Sequence, residues 1–217
     1  MQQILVRIGI IVMGFIYIFL IPSEPTIIKL IFKVIPIALI IYYAYIQSQP
    51  HKTLTHNLVI IGLLFSIVAD GSIIYSFIAG LIFFFIAHVF YIGAFARQFQ
   101  FSILRASSII PLILVSIWIG NGLINGLQQN KEEDLLIPVL LYIIIIMTMC
   151  WLAIMTKNIW ATIGSILFVI SDSILAWNKF VTPITNEEAL VMITYYAAQL
   201  FIAHSLRTLV QKKERTI

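Results

Sequence analysis

The chain has 217 residues, of which 61% are hydrophobic and only 10% are Asp, Glu, Lys or Arg, and its formal net charge is +4. In a soluble domain about a quarter of all residues are charged. This composition therefore excludes an ordinary soluble enzyme, a disordered chain and a basic nucleic-acid binder. The one cysteine, Cys150, lies in an apolar tract, which excludes a disulfide framework and a thiolate metal cage.

Apolar tracts of membrane-spanning length follow one another along the whole chain. A transmembrane helix needs ~20 apolar residues, so eight helices would use roughly 160 residues. The tracts run over about 4–21, 27–46, 57–76, 79–96, 109–127, 135–155, 159–178 and 189–209. The pattern predicts an all-α, polytopic membrane bundle of eight transmembrane helices. These helices would form a single transmembrane domain, residues 1–217, with no room for a soluble domain of any size.

The least distinct boundary lies between the third and fourth tracts. Residues 57–96 are almost continuously apolar and are too many for one span, so we expect a tight hairpin near residues 75–79. The first tract has no basic leader and no small-residue cleavage pattern, and we therefore interpret it as a retained helix.

Basic residues are divided unevenly between the two sides of the predicted membrane. With eight spans both termini share one side, which would carry nine of the thirteen basic residues: Arg7, Lys52, Arg97, Arg105, Lys157, Arg207, Lys212, Lys213 and Arg215. The other side collects six acidic residues: Glu24, Glu132, Glu133, Asp134, Glu187 and Glu188. Because basic loops stay in the cytoplasm, we expect both termini to be cytoplasmic. The basic run at 212–215 is then the positive-inside tail, with binding of anionic lipid as the alternative. For the membrane itself, we favour a bacterial-type cytoplasmic membrane over the endoplasmic reticulum.

A weak internal repeat accompanies this layout. Three residues recur at a constant offset of 102, as the pairs Pro36 and Pro138, Gly62 and Gly164, and Asp70 and Asp172. The third and seventh spans would run in the same direction, so the offset indicates a parallel repeat of helix groups. Chance similarity between apolar helices is the alternative.

Ionisable residues inside the spans are the best candidates for function. A charge at mid-bilayer costs ~2.5–3.5 kcal/mol on insertion scales, so such residues usually face a partner or a cavity. Asp70 and Asp172 are the only carboxylates well inside a tract, and both lie roughly 9 Å below the outer boundary. Lys33 lies at about the same depth. We expect one polar pocket that holds all three, and the alternative is a structural ion pair between Lys33 and one aspartate.

Polar and aromatic side chains at neighbouring depths are candidates for lining this pocket. The fourth span places Gly80, Phe84, His88, Tyr91 and Phe95 on one helical face, and we expect His88 or Tyr91 on the deeper wall. Further candidates are Tyr142 of the sixth span and Tyr195, Tyr196 and Gln199 of the eighth. The alternatives are a hydrogen-bonded structural histidine and an interfacial tyrosine belt. Gln199 is too deep for a belt and needs a hydrogen-bond partner.

Several kinds of site have no signature in this sequence. No HExxH motif, close histidine pair within a span or cysteine ligand set is present, so neither a metal site nor a cofactor is expected. His51 and His56 are interpreted as solvated loop residues. Gly120, Gly126, Asn121 and Asn125 of the fifth span are interpreted as helix-packing residues. A pair of carboxylates in a low-dielectric site remains, and such a pair would hold one neutral acid beside one base.

The sequence around the two aspartates is similar to the lysoplasmalogenase (YhhN-like) family. The resemblance rests on the runs Gly62-Leu-Leu-Phe-Ser-Ile-Val-Ala-Asp70 and Gly164-Ser-Ile-Leu-Phe-Val-Ile-Ser-Asp172. Further matching residues are Lys33, Pro36, Gly80, Phe84, His88, Tyr91, Phe180, Tyr195, Tyr196 and Gln199. It extends over roughly residues 30–205, with Ala69 as a departure where the family has Gly.

The resemblance implies an eight-helix membrane hydrolase that cleaves the vinyl ether bond of lysoplasmalogens to a fatty aldehyde and a glycerophospho head group. It also implies that Asp70 and Asp172 are the acid–base residues. The expected partners are a lysophospholipid substrate from the bilayer and membrane lipids, with no nucleic acid. The buried carboxylates and the parallel repeat leave a proton-coupled transporter as the alternative. A non-catalytic scaffold would not need two buried acids at one depth.

Overall fold

The structure is a computed structural model that describes residues 1–22, 24, 26–49 and 52–209. Its helices are α1 (Gln2–Phe19), α2 (Thr26–Gln47), α3 (Leu54–Tyr75), α4 (Phe77–Ala96), α5 (Ile103–Ala106), α6 (Ile109–Gln129), α7 (Leu136–Met155), α8 (Ile159–Phe180) and α9 (Glu187–Leu209). In the described ranges, eight helical spans are long and apolar enough to cross a membrane, with α5 and α6 counted as one span. The eight predicted tracts are confirmed, and their ends shift by no more than three residues. The basic run at 212–215 and His51 lie outside the described residues.

Helix α3 begins earlier than predicted because its first turn is capped by its own side chains. The backbone N–H of Thr53 donates to His56 Nδ1 at 3.1 Å, in a capping-box arrangement that satisfies an otherwise unpaired donor. His56 is 3% exposed. The interpretation of His56 as a solvated loop residue is therefore wrong, since it is a buried helix residue.

The predicted hairpin between the third and fourth spans is confirmed. α3 ends at Tyr75 and α4 begins at Phe77. Ser76 has an extended backbone, and its hydroxyl accepts a hydrogen bond from the N–H of Ala79 at 3.3 Å. A serine N-cap of this kind starts a new helix directly after the previous one.

The packing of the helices follows the 102-residue offset. α3 packs against α4 in the first half and α8 against α9 in the second, while α2 packs on α9 and α4 packs on α7 between the halves. Gly62 and Gly164 occupy equivalent places in the two hairpins. A Cβ at Gly62 would meet the ring of Tyr91, and one at Gly164 would lie 2.9 Å from the carbonyl oxygen of Ala198. Glycine at these points allows the paired helices to approach closely.

The start of α1 and the end of α9 lie at the same end of the bundle. The last turn of α1 meets the first turn of α9, where the Tyr17 hydroxyl donates to Glu188 at 2.9 Å. At the other end, Trp160 near the start of α8 packs on His204 near the end of α9. We call the end that holds the connections after α1, α3, α6 and α8 the distal end. The side of the membrane that it faces stays a prediction.

Helix α6 lies at the edge of the bundle and α9 near its centre, since these are the least and the most buried spans. The prediction that α6 packs through small residues holds for its glycines: Gly120 and Gly126 are buried, and Gly126 contacts the backbone of Phe180. It is wrong for Asn121 and Asn125, which are exposed. Each follows or precedes a buried glycine by one residue, which turns its side chain by about 100° onto another face of the helix.

Candidate active site

A cavity that contains several charged side chains opens among α1–α4, α8 and α9 at the distal end. It measures about 570 Å³, counted with its open mouth. Its polar and charged wall is formed by Tyr17, Lys33, Asp70, Ser171, Asp172, Glu187, Glu188 and Tyr195. We call it the polar cavity. It brings Lys33, Asp70 and Asp172 together, as their similar depth in three different spans predicted.

Both carboxylate oxygens of Asp70 are occupied. Oδ1 lies 3.5 Å from Lys33 Nζ, and Oδ2 accepts a hydrogen bond of 2.8 Å from the Tyr195 hydroxyl. The Asp70 and Lys33 side chains are 3% and 13% exposed. The ion pair considered as an alternative from the sequence is therefore present, and it lies in the wall of the shared cavity.

Asp172 is contacted through one oxygen only. Its Oδ2 accepts a short hydrogen bond from the Tyr142 hydroxyl and lies 3.6 Å from His88 Nε2. The same His88 nitrogen lies 3.0 Å from the Tyr142 oxygen. Asp172 Oδ1 has no hydrogen-bond or salt-bridge partner among the described residues. This oxygen is therefore available to a molecule in the cavity.

The two aspartates take their partners from equivalent helices. Asp70 on α3 is contacted from α2 and α9, whereas Asp172 on α8 is contacted from α7 and α4. The offset of 102 residues relates α2 to α7 and α4 to α9, so each aspartate is contacted from the equivalent two positions of the repeat. The partners nevertheless differ, because Asp70 has an ammonium cation beside it and Asp172 has a phenol and an imidazole. Related positions therefore carry unequal electrostatic environments.

A second cavity adjoins the first and is lined almost entirely by apolar side chains of α3, α4 and α6–α8. We call it the apolar cavity. It shares four lining residues with the polar cavity: Ile73, Phe84, Asp172 and Leu175. Asp172 is the charged residue among these four, so its carboxylate lies at the boundary between a polar and an apolar compartment.

The remaining predicted site residues form the layer behind these walls. Tyr91 donates to Gln199 Oε1 at 2.7 Å, and Gln199 Nε2 donates to Ser66 Oγ at 2.9 Å. Tyr196 donates to the backbone oxygen of Lys33 at 2.8 Å. The expectation that His88 or Tyr91 lines the deeper wall is wrong: neither lines the polar cavity. Both pack edge-on against Phe168, which packs in turn against the cavity-lining Tyr195.

Within the part of the chain that the structure describes, no group of three or more His, Cys, Asp or Glu side chains could hold a metal ion.

Residues 28–206, which include every aspartate partner named above, match the YhhN family. The chain belongs to the YhhN family.

Curated relatives of this family member are named lysoplasmalogenases. Lysoplasmalogenase TMEM86B of Homo sapiens is 35% identical over 152 residues, which is 69% of this chain and 63% of the relative. Lysoplasmalogenase TMEM86A of Homo sapiens is 28% identical over 212 residues, which is 84% of this chain and 80% of the relative. The lysoplasmalogenase of Mycobacterium tuberculosis (strain CDC 1551 / Oshkosh) is 31% identical over 136 residues, which is 59% of this chain and 50% of the relative. The matches thus cover less than two thirds of the TMEM86B and mycobacterial proteins. No solved structure matches the chain.

The sequence did not identify four residues at the mouth of the polar cavity in this YhhN family member as part of the site: Tyr17, Lys29, Glu187 and Glu188. Lys29 Nζ lies 2.7 Å from the Glu188 carboxylate, to which Tyr17 also donates, and Glu187 and Glu188 line the cavity. The acidic pair was interpreted only as a topology signal. An acidic pair in the first turn of a spanning helix is ordinary at a membrane edge, so the sequence carried no signal that placed it at the site.

Proposed function

We propose that this protein is a lysoplasmalogenase, which hydrolyses the vinyl ether bond of 1-alkenyl-lysophospholipids from the bilayer. The products would be a fatty aldehyde and a glycerophospho head group. Membership of the YhhN family and the names of the relatives support this class of reaction. The observation that carries the proposal is the position of Asp172 at the boundary between the polar and apolar cavities.

The two ends of a lysoplasmalogen match the chemical character of these two compartments. Its phosphate-containing head is polar, its alkenyl chain is apolar, and the vinyl ether joins the two. With the head in the polar cavity and the chain in the apolar cavity, the vinyl ether would lie beside Asp172. Lys33 lines the polar cavity and has donors to offer to the phosphate besides its contact with Asp70.

We assign different roles to the two aspartates from their contacts. Asp70 lies against the Lys33 ammonium and has both oxygens occupied, so we propose it as the charge that faces the cationic intermediate. Asp172 has Tyr142 and His88 on Oδ2 and leaves Oδ1 open. We therefore propose Asp172 Oδ1 as the atom that delivers a proton to the substrate.

The reaction begins when Asp172 transfers its proton to the β-carbon of the vinyl ether, which is the carbon of the double bond that is not bonded to oxygen. This leaves the Asp172 carboxylate and an oxocarbenium ion, which the negative charge of Asp70 stabilises. Water adds to the oxocarbenium carbon and gives a proton to the Asp172 carboxylate, which restores the acid. The resulting hemiacetal moves its hydroxyl proton to the glycerol oxygen as the carbon–oxygen bond breaks. The aldehyde and the glycerol hydroxyl are released, and both carboxyl groups are restored, as in the two-carboxylate chemistry of glycosidases.

The proposal is tested by mass spectrometry of the purified protein in detergent with 1-alkenyl-, 1-acyl- and 1-alkyl-lysophosphatidylethanolamine. We expect aldehyde and glycerophosphoethanolamine from the alkenyl lipid alone, because the alkyl ether has no double bond to protonate. Fatty acid from the acyl lipid alone would overturn the vinyl ether assignment in favour of another lysolipid hydrolase.

The second candidate is a proton-coupled transporter, and the related positions of Asp70 and Asp172 in two helix groups favour it. Transporter sites typically lie at interrupted helices, whereas α3 and α8 run through the aspartates without a break. The transporter predicts no product from any of the three lipids in the same experiment.

A further inference from the structure

We propose that the alkenyl chain of the substrate reaches the bilayer between α6 and α7, past the side chains of Ile143 and Met147, and that the lipid enters laterally by this route. The identity of the lipid rests on the proposed function. The route itself rests on the arrangement of three hollows in the bundle.

The first part of the route is the apolar cavity. It begins at Asp172 and is otherwise bounded by side chains such as Leu81, Ile119, Leu123 and Val139. A single hydrocarbon chain that starts at the vinyl ether would bury its apolar surface here, at about 25 cal/mol per Å² removed from water.

The second part is a groove on the outside of the bundle. It lies between α6 and α7, measures about 1330 Å³ with its open side, and is lined mainly by apolar side chains. Among these, Ile113, Ile117 and Ile144 are 49%, 55% and 62% exposed, so the groove faces the hydrocarbon of the membrane. We call it the α6–α7 groove.

The wall between the apolar cavity and the α6–α7 groove is thin. Ile143 and Met147 line both, so their two side chains separate the interior from the lipid. Methionine changes conformation easily, and the facing α6 position is Gly120, where even an added Cβ would approach Ile143 only to 3.9 Å. Small side-chain movements would therefore join the two spaces.

Another lipid-facing hollow with long apolar side chains shares no wall with the site. It lies at the opposite end of the bundle, between α1, α8 and α9, and contains Ile4, Ile8, Ile11 and Phe201. It shares no lining residue with the polar or the apolar cavity. In contrast, α6 is the least buried span and is the helix that can move away from its neighbours most easily.

The route is tested by photo-crosslinking with a 1-alkyl-lysophosphatidylethanolamine that carries a diazirine at the end of its chain. The alkyl ether is not a substrate, so the readout is independent of activity. We expect labelled peptides from 109–129 and 136–155. Labels on α1 and α9 instead, whether or not the protein hydrolyses the alkenyl lipid, would overturn the route. Labels at α6 and α7 in a protein that releases no aldehyde would support the chain site and refute the proposed function.

A matched pair of tryptophan variants tests the same route by kinetics. Met147→Trp would fill the wall, while Leu141→Trp lies on the same helix, is 51% exposed and lines neither space. We expect Met147→Trp to lower kcat/KM for a 1-hexadecenyl lysolipid at least about tenfold more than for a 1-hexenyl lysolipid, whose short chain has less need of the α6–α7 groove. Leu141→Trp should leave both unchanged. Equal loss of both substrates in a folded Met147→Trp protein, or no loss of either, would contradict the route.

Discussion

The charged atoms of Lys33 and Asp70 lie 3.5 Å apart, and both side chains are largely buried. A buried ion pair adds little net stability, because removal of both charges from water offsets most of their attraction. Removal of one partner is different, since it leaves an uncompensated charge in a low-dielectric place. This asymmetry makes the pair open to a direct test by mutation.

Lys33→Met should destabilise the folded protein by ~3–5 kcal/mol, the usual cost of breaking a buried pair. The double variant Lys33→Met with Asp70→Asn should recover most of this loss, because no charge is then left without a partner. Thermal unfolding in detergent measures both. A single variant as stable as the wild type would show that Asp70 does not depend on Lys33.

At the level of residues, the sequence predicted three of the five charged side chains that line the polar cavity, but not the hydrogen bonds behind its walls. Asp70, Asp172 and Lys33 stand out because a charge in hydrocarbon needs a reason to be there. Tyr91 and Gln199 have the same residue types as a cavity lining, and only the rotation of their helices decides that they bond to each other. Glu187 at the start of α9 resembles any acidic residue at a membrane edge.

The elements that bring the aspartates together are two helical hairpins, α3 with α4 and α8 with α9. Each hairpin is held close by a glycine, Gly62 or Gly164. At Gly62 the space of the missing side chain is filled by the ring of Tyr91, whose hydroxyl binds Gln199. The glycine therefore fixes the position of α4 and of the hydrogen-bonded layer behind the site.

Gly62→Ala should destabilise the protein by ~1–3 kcal/mol, the typical cost of forcing extra volume into a packed core. Gly71→Ala on the same helix is the control, because nothing lies within 4 Å of its added Cβ. Alanine there should be neutral or stabilising by up to ~1 kcal/mol, from helix propensity. Thermal unfolding of the two variants measures this difference in stability. Equal stability of Gly62→Ala and Gly71→Ala would contradict the close packing at Gly62.

At the level of elements, the spans and the hairpin after Tyr75 follow from the length of the apolar tracts. The rotation of each helix about its axis does not follow, because a helix that is apolar on every side has no amphipathic stripe to orient it. This is why Gly126 and Asn125, adjacent in sequence, were both assigned to packing although only Gly126 is buried.

For the whole molecule, the even number of spans places residues 2 and 209 at the same end. Six of the ten basic residues that the structure describes lie towards that end, and Glu24, Glu187 and Glu188 lie towards the distal end. From the positive-inside rule we expect the polar cavity to face away from the cytoplasm and to take its substrate from the outer leaflet.

Reporter fusions in a bacterial host test this orientation. If the C-terminus is cytoplasmic as expected, a fluorescent protein fused there should fluoresce and alkaline phosphatase at the same point should be inactive. Alkaline phosphatase inserted between α8 and α9, at residues 181–186, should be active. The reverse pattern would place the polar cavity on the cytoplasmic side.

The most direct test of the proposed function is aldehyde release from 1-alkenyl-lysophosphatidylethanolamine by the wild type, Asp172→Asn and Asp70→Asn. Asparagine has nearly the shape of aspartate but cannot donate a carboxylic proton or carry the charge. Asp172→Asn should fold at least as stably as the wild type, whereas Asp70→Asn should be less stable because Lys33 loses its partner. We predict that the wild type releases aldehyde and that each folded variant is slower by about 10²–10⁴-fold, the usual contribution of a general acid or base. Near-wild-type release by either folded variant would contradict the two-aspartate mechanism.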